Sequence, residues 1–449
     1  MNKPTLNSLQ KIIEIGMGTS LYQISSATCS DFGQTPNQWD ISQHDKRIPS
    51  IENKVSAWET IENYLPILQK MGIKHLRFSV EWNYIEPTPG HFNPKAILHY
   101  RQIIQACLRH HIEPMLTLYH FTQPLWFQLK GGFEQEKNIK DFLRYAQFVI
   151  QELSTDVKIW CTINEPAVEA FTGYLYGKFP PFQFLSWDKA TLVLKHLLQA
   201  HVELVARLEK QIQHQHLKIG LVHNILRFQS RSSLIDKYLT KPLTEFTHDI
   251  VMRFMTEGKL DYRNIHYHEP RSKGNCCFLN IYGDVQVGYM GPTCNKNQKM
   301  GDMFIAVYPE SYHQALEQAR EIKMPVYITE TGIADEKDVV RPQFIIEIFR
   351  CVLTQICLGQ EIERMYFWTF KDNYEWHFGH KKHFGLFDEF DQPRQSAYLL
   401  RWIIKNFQEI LKKEQDTLFI MAQWQQILNL AEDKIKINQL DFFSNDFNL

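Results

Sequence analysis

The chain has 449 residues, of which 44% are hydrophobic and 13% aromatic, ample material for a large core. Lys and Arg number 49 against 50 Asp and Glu, a formal net charge of -1, without the basic excess that general nucleic-acid binding needs to neutralise phosphates. No stretch approaches the roughly 18 apolar residues of an integral membrane segment.

Eight runs have strand character. In chain order they are EIGMGTSL from Glu14, KHLRFSV from Lys74, EPMLTLY from Glu113 and KIWCTINE from Lys158. KIGLVHN from Lys218, CCFLNIY from Cys276, PVYITET from Pro325 and RMYFWTF from Arg364 complete the set. Most are apolar with little alternation, as expected of strands buried on both faces of a parallel sheet. Amphipathic stretches at 55–71, 139–153, 187–213 and 342–358 lie between them, the first interrupted by Pro66, where a kink is expected.

By length alone three domains could be accommodated. Yet strand and helix alternate eight times, no G-x-G-x-x-G follows a strand, and no Pro/Gly/Ser-rich linker divides the chain. The expected fold is therefore α/β, a (β/α)8 TIM barrel over residues 1–405, with a C-terminal helical extension over 406–449. In that extension Leu418, Met421, Trp424 or Gln425, Leu428 and Ala431 fall near one helical face, expected to pack on its own domain.

The N-terminal MNKPTLNSLQKIIEIG lacks the apolar region and cleavage site of a secretory signal. The eight cysteines, at 29, 107, 161, 276, 277, 294, 351 and 357, contain no C-x-x-C and sit mostly in apolar runs. They read as reduced, buried thiols of a cytoplasmic protein. The histidine pairs His110-His111, His214/His216, His266/His268 and His380/His383 lack zinc-site spacing, so no metal or other cofactor is expected. Homo-oligomerisation is left open.

Chemistry on a barrel collects at the C-terminal ends of the strands. The fourth run ends in Thr162-Ile163-Asn164-Glu165-Pro166 and the seventh in Ile328-Thr329-Glu330-Thr331-Gly332. Each brings a Glu to the same rim. Arg77, Tyr119-His120, Asn280, Tyr282 and Trp368 come from other strands, with Asp372-Asn373-Tyr374-Glu375-Trp376 just downstream. Two carboxyl groups among hydrogen-bonding side chains and aromatic faces suit glycoside cleavage: one protonates the departing oxygen, the other meets the developing oxocarbenium ion.

The same segments resemble glycoside hydrolase family 1, the retaining β-glycosidases, in order from about residue 15 to 405. TINEP at 162–166 resembles the acid/base segment, YITETG at 327–332 the nucleophile segment, and LRFSVEW at 76–82 the RFSxxW segment. LYHFTQPLWF at 118–127, LNIYG at 279–283 and FWTFKDNYEW at 367–376 resemble LYHWxLP, NYY and WSLLDNFEW. The resemblance implies Glu165 as general acid and then base, and Glu330 as nucleophile. It implies that Gln23, His120, Asn164, Glu375 and Trp376 bind the non-reducing sugar over a Trp368 platform. Arg77 and Tyr282 would hold the nucleophile, and Asn280 would support the acid/base. Retention implies carboxyl groups about 5–5.5 Å apart.

Departures occur at Phe121 and Phe304, where Trp is usual, at Thr331 in place of Asn, and at His380 in place of Tyr. Ile24-Ser25-Ser26 also replaces the usual Ile/Val-Glu-Gly after Gln23. The expected partner is a small-molecule β-glucoside or β-galactoside. A 6-phosphoglycoside is disfavoured, because that branch has Ser where Glu375 stands and Tyr where Phe384 stands, although Lys382 matches its Lys. Two other readings stand beside hydrolysis: a transglycosidase using the same two Glu residues with a sugar or lipid acceptor, and a catalytically silent sugar-binding protein.

Overall fold

The computed structural model describes residues 4–24, 36–51, 57–211, 216–230, 234–271, 273–288, 291–293, 299–303 and 305–443. Ser25, Ser26, Cys29, His214, Cys294 and Phe304 lie outside the described residues.

All eight expected runs form strands: β1 (Ile15–Gly18), β2 (His75–Ser79), β3 (Glu113–Tyr119), β4 (Ile159–Asn164), β5 (Lys218–Asn224), β6 (Cys277–Asn280), β7 (Val326–Thr331) and β8 (Ile362–Trp368). They pair in parallel in sequence order and close through β1 on β8, giving the TIM barrel. The lower lumen is filled by Met115, Ile159, Cys161, Val222, Phe278, Tyr327 and Tyr366. It is a packed core, with no pore. Gly16 is required there, because a Cβ would lie 2.3 Å from the Tyr366 ring.

Helices α1 (Ala57–Met71), α2 (Pro94–Arg109), α3 (Ile139–Leu153), α4 (Trp187–Glu209), α5 (Ile250–Glu257), α6 (Pro309–Ala319), α7 (Arg341–Cys357) and α8 (Gln395–Lys413) surround the strands. Their apolar stripes explain their placement. In α3, Ile139, Phe142, Leu143, Ala146, Val149, Ile150 and Leu153 are all buried, the spacing of one helical face. Helix α1 runs on through Pro66, where the kink is expected. Pro66 and Glu62 are exposed, so the carbonyl that loses its N–H partner can turn to water. The helix expected to reach Gln213 ends at Glu209, with Lys210 as its C-cap. Helix α7 begins at Arg341, one residue early, because Asp335 Oδ2 accepts from the backbone N–H groups of Val340 (2.6 Å) and Arg341 (2.9 Å).

The boundary drawn at 405/406 falls inside α8. A further helix, α9 (Thr417–Lys436), packs against α7 and α8. Its buried face is Ile420, Trp424, Leu428 and Ala431, a correction to the expected stripe. Leu418 is half exposed and Met421 only partly covered. The Trp424 ring stacks on Phe407 at 4.4 Å, and this contact fixes the rotation that turns Ile420 inward and Leu418 out. Among the described residues no helix is long and apolar enough to cross a membrane.

Candidate active site

Strand register assembles the rim. Asn280 is the lateral partner of both Asn224 on β5 and Glu330 on β7, while Gly18 on β1 is flanked by Arg77 and Trp368. Register shifts interrupt β4–β5 just before Asn164 and β7 just before Glu330. Such irregularities re-aim side chains, and here they occur where the barrel must present its carboxyl groups.

Glu165 follows β4 directly and adopts a left-handed backbone, φ 46° and ψ 59°. Its N–H donates to Val222 O at 2.9 Å, and its carbonyl accepts from Val168 N and Glu169 N, opening the short helix Pro166–Ala170. Few residues other than glycine adopt such a conformation. Phe121 (φ 63°) and Trp376 (φ 49°), which share the cavity with Glu165, also adopt it. Strained backbone of this kind gathers at functional sites.

The side chains form one hydrogen-bonded chain. Arg77, wholly buried, donates to Glu330 Oε1 and, at 2.7 Å, to Asn164 Oδ1. Tyr282 Oη donates to Glu330 Oε2 at 2.6 Å. Asn280 Nδ2 (2.5 Å) and Asn224 Nδ2 (3.0 Å) donate to Glu165 Oε1, and Thr329 Oγ1 fixes the Asn280 amide by donating to Oδ1 at 2.7 Å. Burial, reinforced by the Glu330 charge, pushes the Glu165 carboxyl up to about 8, so it keeps its proton at neutral pH. Glu375 is pushed to about 8 by the same two influences, with the Glu165 charge adding to them.

At the other end of the cavity Gln23 Nε2 donates to Tyr374 O (2.9 Å) and Glu375 Oε2 (3.3 Å). The His120 ring lies parallel to Trp368 (5.8 Å) and Trp376 (6.1 Å). Burial, with the Arg77 charge, holds His120 well below the usual imidazole range, so it is neutral. His120 Nδ1 and Gln23 Oε1 are buried without a protein partner. Orphaned polar atoms of this kind are unusual in a protein interior and suit ligand hydroxyls. Trp376 is backed by Tyr22, Trp39, Phe121 and Phe179. Glu165, Glu330, His120, Asn164, Tyr282, Trp368, Glu375 and Trp376 therefore line one cavity, and Gln23, Arg77 and Asn280 join them through hydrogen bonds to Glu375, Glu330 and Glu165.

The family model for glycosyl hydrolase family 1 matches residues 8–276 and 283–415. The chain belongs to glycosyl hydrolase family 1. Among solved family members, a β-glycosidase from Pyrococcus horikoshii is 31% identical and superposes with a TM-score of 0.77, over 87% of this chain and 93% of that one. A 1,4-beta-D-glucan glucohydrolase of Thermotoga neapolitana is 28% identical over 87% of this chain and 97% of its own length. The chloroplastic galactolipid galactosyltransferase SFR2 of Arabidopsis thaliana is 26% identical over 81% of this chain, and the match spans 59% of that relative.

The family segments do not account for the whole site. Asn224 was not singled out, although it is the polar end of an apolar strand, the same signal that marks Asn164 and Asn280. Leu226, Met303, Ile305 and His377 also line the cavity. They stand beyond the strand ends, where sequence periodicity gives no address. Of the departures, Thr331 turns its hydroxyl onto Ile281 O at 2.8 Å. The Phe121 carbonyl accepts from Gln38 Nε2 and Trp39 Nε1, each at 2.7 Å, which anchors its left-handed turn. Lys382 donates to the Asp302 carbonyl and is absent from the cavity lining.

Proposed function

We propose that this family 1 protein is a retaining exo-β-glycosidase that hydrolyses non-reducing-end β-glucosides or β-galactosides. The observation that carries the reading is the contrast between its two rim carboxyl groups. Glu165 is buried and held to about 8, whereas Glu330 has both oxygens engaged by Arg77 and Tyr282.

In this mechanism Glu330 Oε attacks the anomeric carbon while Glu165 gives its proton to the glycosidic oxygen. The aglycone leaves as an alcohol, and a glycosyl ester forms on Glu330. Esterification removes the Glu330 charge that helps keep Glu165 protonated. Glu165 then takes a proton from water, the hydroxide oxygen attacks the anomeric carbon, and Glu330 is released. Two inversions leave the β configuration. Gln23, His120, Asn164, Glu375 and Trp376 would hold the sugar over Trp368. The buried aromatic backing of Trp376 supports exo action, because it walls off the glycone end.

The cavity favours an uncharged sugar. Arg77 is committed to Glu330 and Asn164, and no Lys lines the cavity among the described residues. A 6-phosphate would meet Glu375 with no free cation beside it. The six described cysteines are free thiols, five of them buried, which supports a cytoplasmic location. A panel of p-nitrophenyl β-glycosides, with and without 6-phosphate, tests the reading when followed by NMR of the first anomer released. Transglycosylation to a sugar or lipid acceptor is the second reading, favoured by the likeness to a galactosyltransferase. Product analysis with added acceptor separates the two.

A further inference from the structure

Beyond Glu165 the cavity changes character. Val168 after β4, Leu226 after β5, Met303 and Ile305 after β6, and Phe378 after β8 supply its outer wall. Four separate βα connections thus converge on apolar side chains. The polar residues among them are already engaged. Thr172 Oγ1 turns back onto Val168 O at 2.6 Å, the Asn224 amide donates to Glu165, and the Tyr282 hydroxyl donates to Glu330. His377 alone remains in this half among the described residues, with both ring nitrogens buried and unpartnered. Among the described residues no charged side chain joins them in this outer half, the Lys178 ammonium lying farther out, 5.7 Å from the centre of the Tyr176 ring.

The wall continues outward. The His377 ring meets Tyr176 at 6.2 Å and Phe179 at 5.9 Å. Tyr176 forms a backbone bridge to Phe184, and Tyr176, Phe184 and Leu185 are largely exposed, at 47%, 67% and 59%. An apolar path therefore runs from the leaving-group side of Glu165 to solvent. Contiguous exposed apolar surface of this kind marks a binding surface.

We propose that the natural substrate carries an apolar aglycone, an alkyl or arylalkyl group long enough to reach from Leu226 and Ile305 toward Tyr176, and that a second sugar is the poorer leaving group here. The proposal rests on the glycosidase reading above. A sugar in this half would bury several hydroxyls against a wall that offers, among the described residues, one unengaged polar side chain, and buried hydroxyls without partners are costly. A hydrocarbon loses nothing by the same burial and gains from leaving water.

The test compares kcat/KM for methyl, hexyl, octyl and 2-phenylethyl β-glycosides with that for the matching β-1,4 disaccharide, all below micelle-forming concentrations. These alcohols have similar leaving abilities, so the series reads binding to the outer wall. The expected result is a rise of at least about tenfold from methyl to octyl or to 2-phenylethyl, with the disaccharide below the better of the two. The ratio of octyl to 2-phenylethyl separates an aliphatic from an aromatic aglycone within the same class. In the Leu226→Asn/Ile305→Asn double variant, the octyl-to-methyl ratio should fall to within about threefold of unity. Turnover of the methyl glycoside with a flat series, or with the disaccharide ahead, overturns the inference and leaves the glycosidase reading standing. No turnover of any glycoside, p-nitrophenyl glycosides included, overturns that reading and the inference with it.

Discussion

Glu165 combines a left-handed backbone with a carboxyl group buried beside a second acid, and both features cost stability. Replacing it by Ala should slow alkyl glycosides by roughly 10²–10⁴-fold, the usual contribution of general acid–base catalysis, and p-nitrophenyl glycosides much less in the first step. Steady-state and pre-steady-state rates on the two substrate types check this. For wild type, kcat/KM should fall as pH rises through about 8, where Glu165 loses its proton. Stability shifts the same way. The folded-state value of about 8 lies above the ordinary carboxyl value of 4.5, so the stability it contributes is present in full below about pH 4.5 and lost as pH rises through about 8. Glu165→Gln should therefore raise the melting temperature relative to wild type at pH 9 and much less at pH 5, by thermal unfolding at both. Glu330→Gln cannot form the glycosyl ester and should lose at least about 10⁴-fold in kcat. The two Glu residues were legible because each ends an apolar strand with a carboxylate. Asn224 carries a similar signal but a weaker chemical meaning, and only the register with Asn280 reveals that it reaches Glu165.

At the scale of elements, strands were easier to read than helix rotations. A doubly buried strand is a short apolar run whichever neighbour it meets, so all eight were visible. The face of α9 depends on one tertiary contact, Trp424 on Phe407, which no periodicity encodes. Trp424 is wholly buried, and its Nε1 donates to Phe407 O at 3.2 Å. Trp424→Ala should destabilise the protein by about 3–5 kcal/mol, as large aromatic truncations in cores do. Denaturant unfolding checks the cost, and kcat for the folded fraction should change little because α9 packs on α7 and α8 behind the barrel. Leu418→Ala should cost far less, since that side chain is half exposed.

For the whole molecule, barrel closure gives the rim its meaning. Glu165 and Glu330 lie 165 residues apart in sequence (330 minus 165), and closure brings both into one cavity whose Arg77 is already committed. A 6-phosphate would add charge beside Glu375 without a cation to meet it. The 6-phosphorylated p-nitrophenyl glycoside should therefore show kcat/KM at least about 100-fold below the free sugar, since an ionised group taken out of water without a partner costs several kcal/mol. The wall beyond Glu165 was not legible in the sequence, because its side chains come from four connections without periodic pattern. The claim on which the rest depends is that Glu330 becomes covalently bound to the sugar. Incubation with a 2-deoxy-2-fluoro β-glycosyl fluoride, followed by mass spectrometry of the digested protein, tests it directly. The account predicts one fluoroglycosyl unit, on the peptide containing Glu330. A label on another carboxylate, or full turnover of β-glycosides by Glu330→Gln, would contradict it.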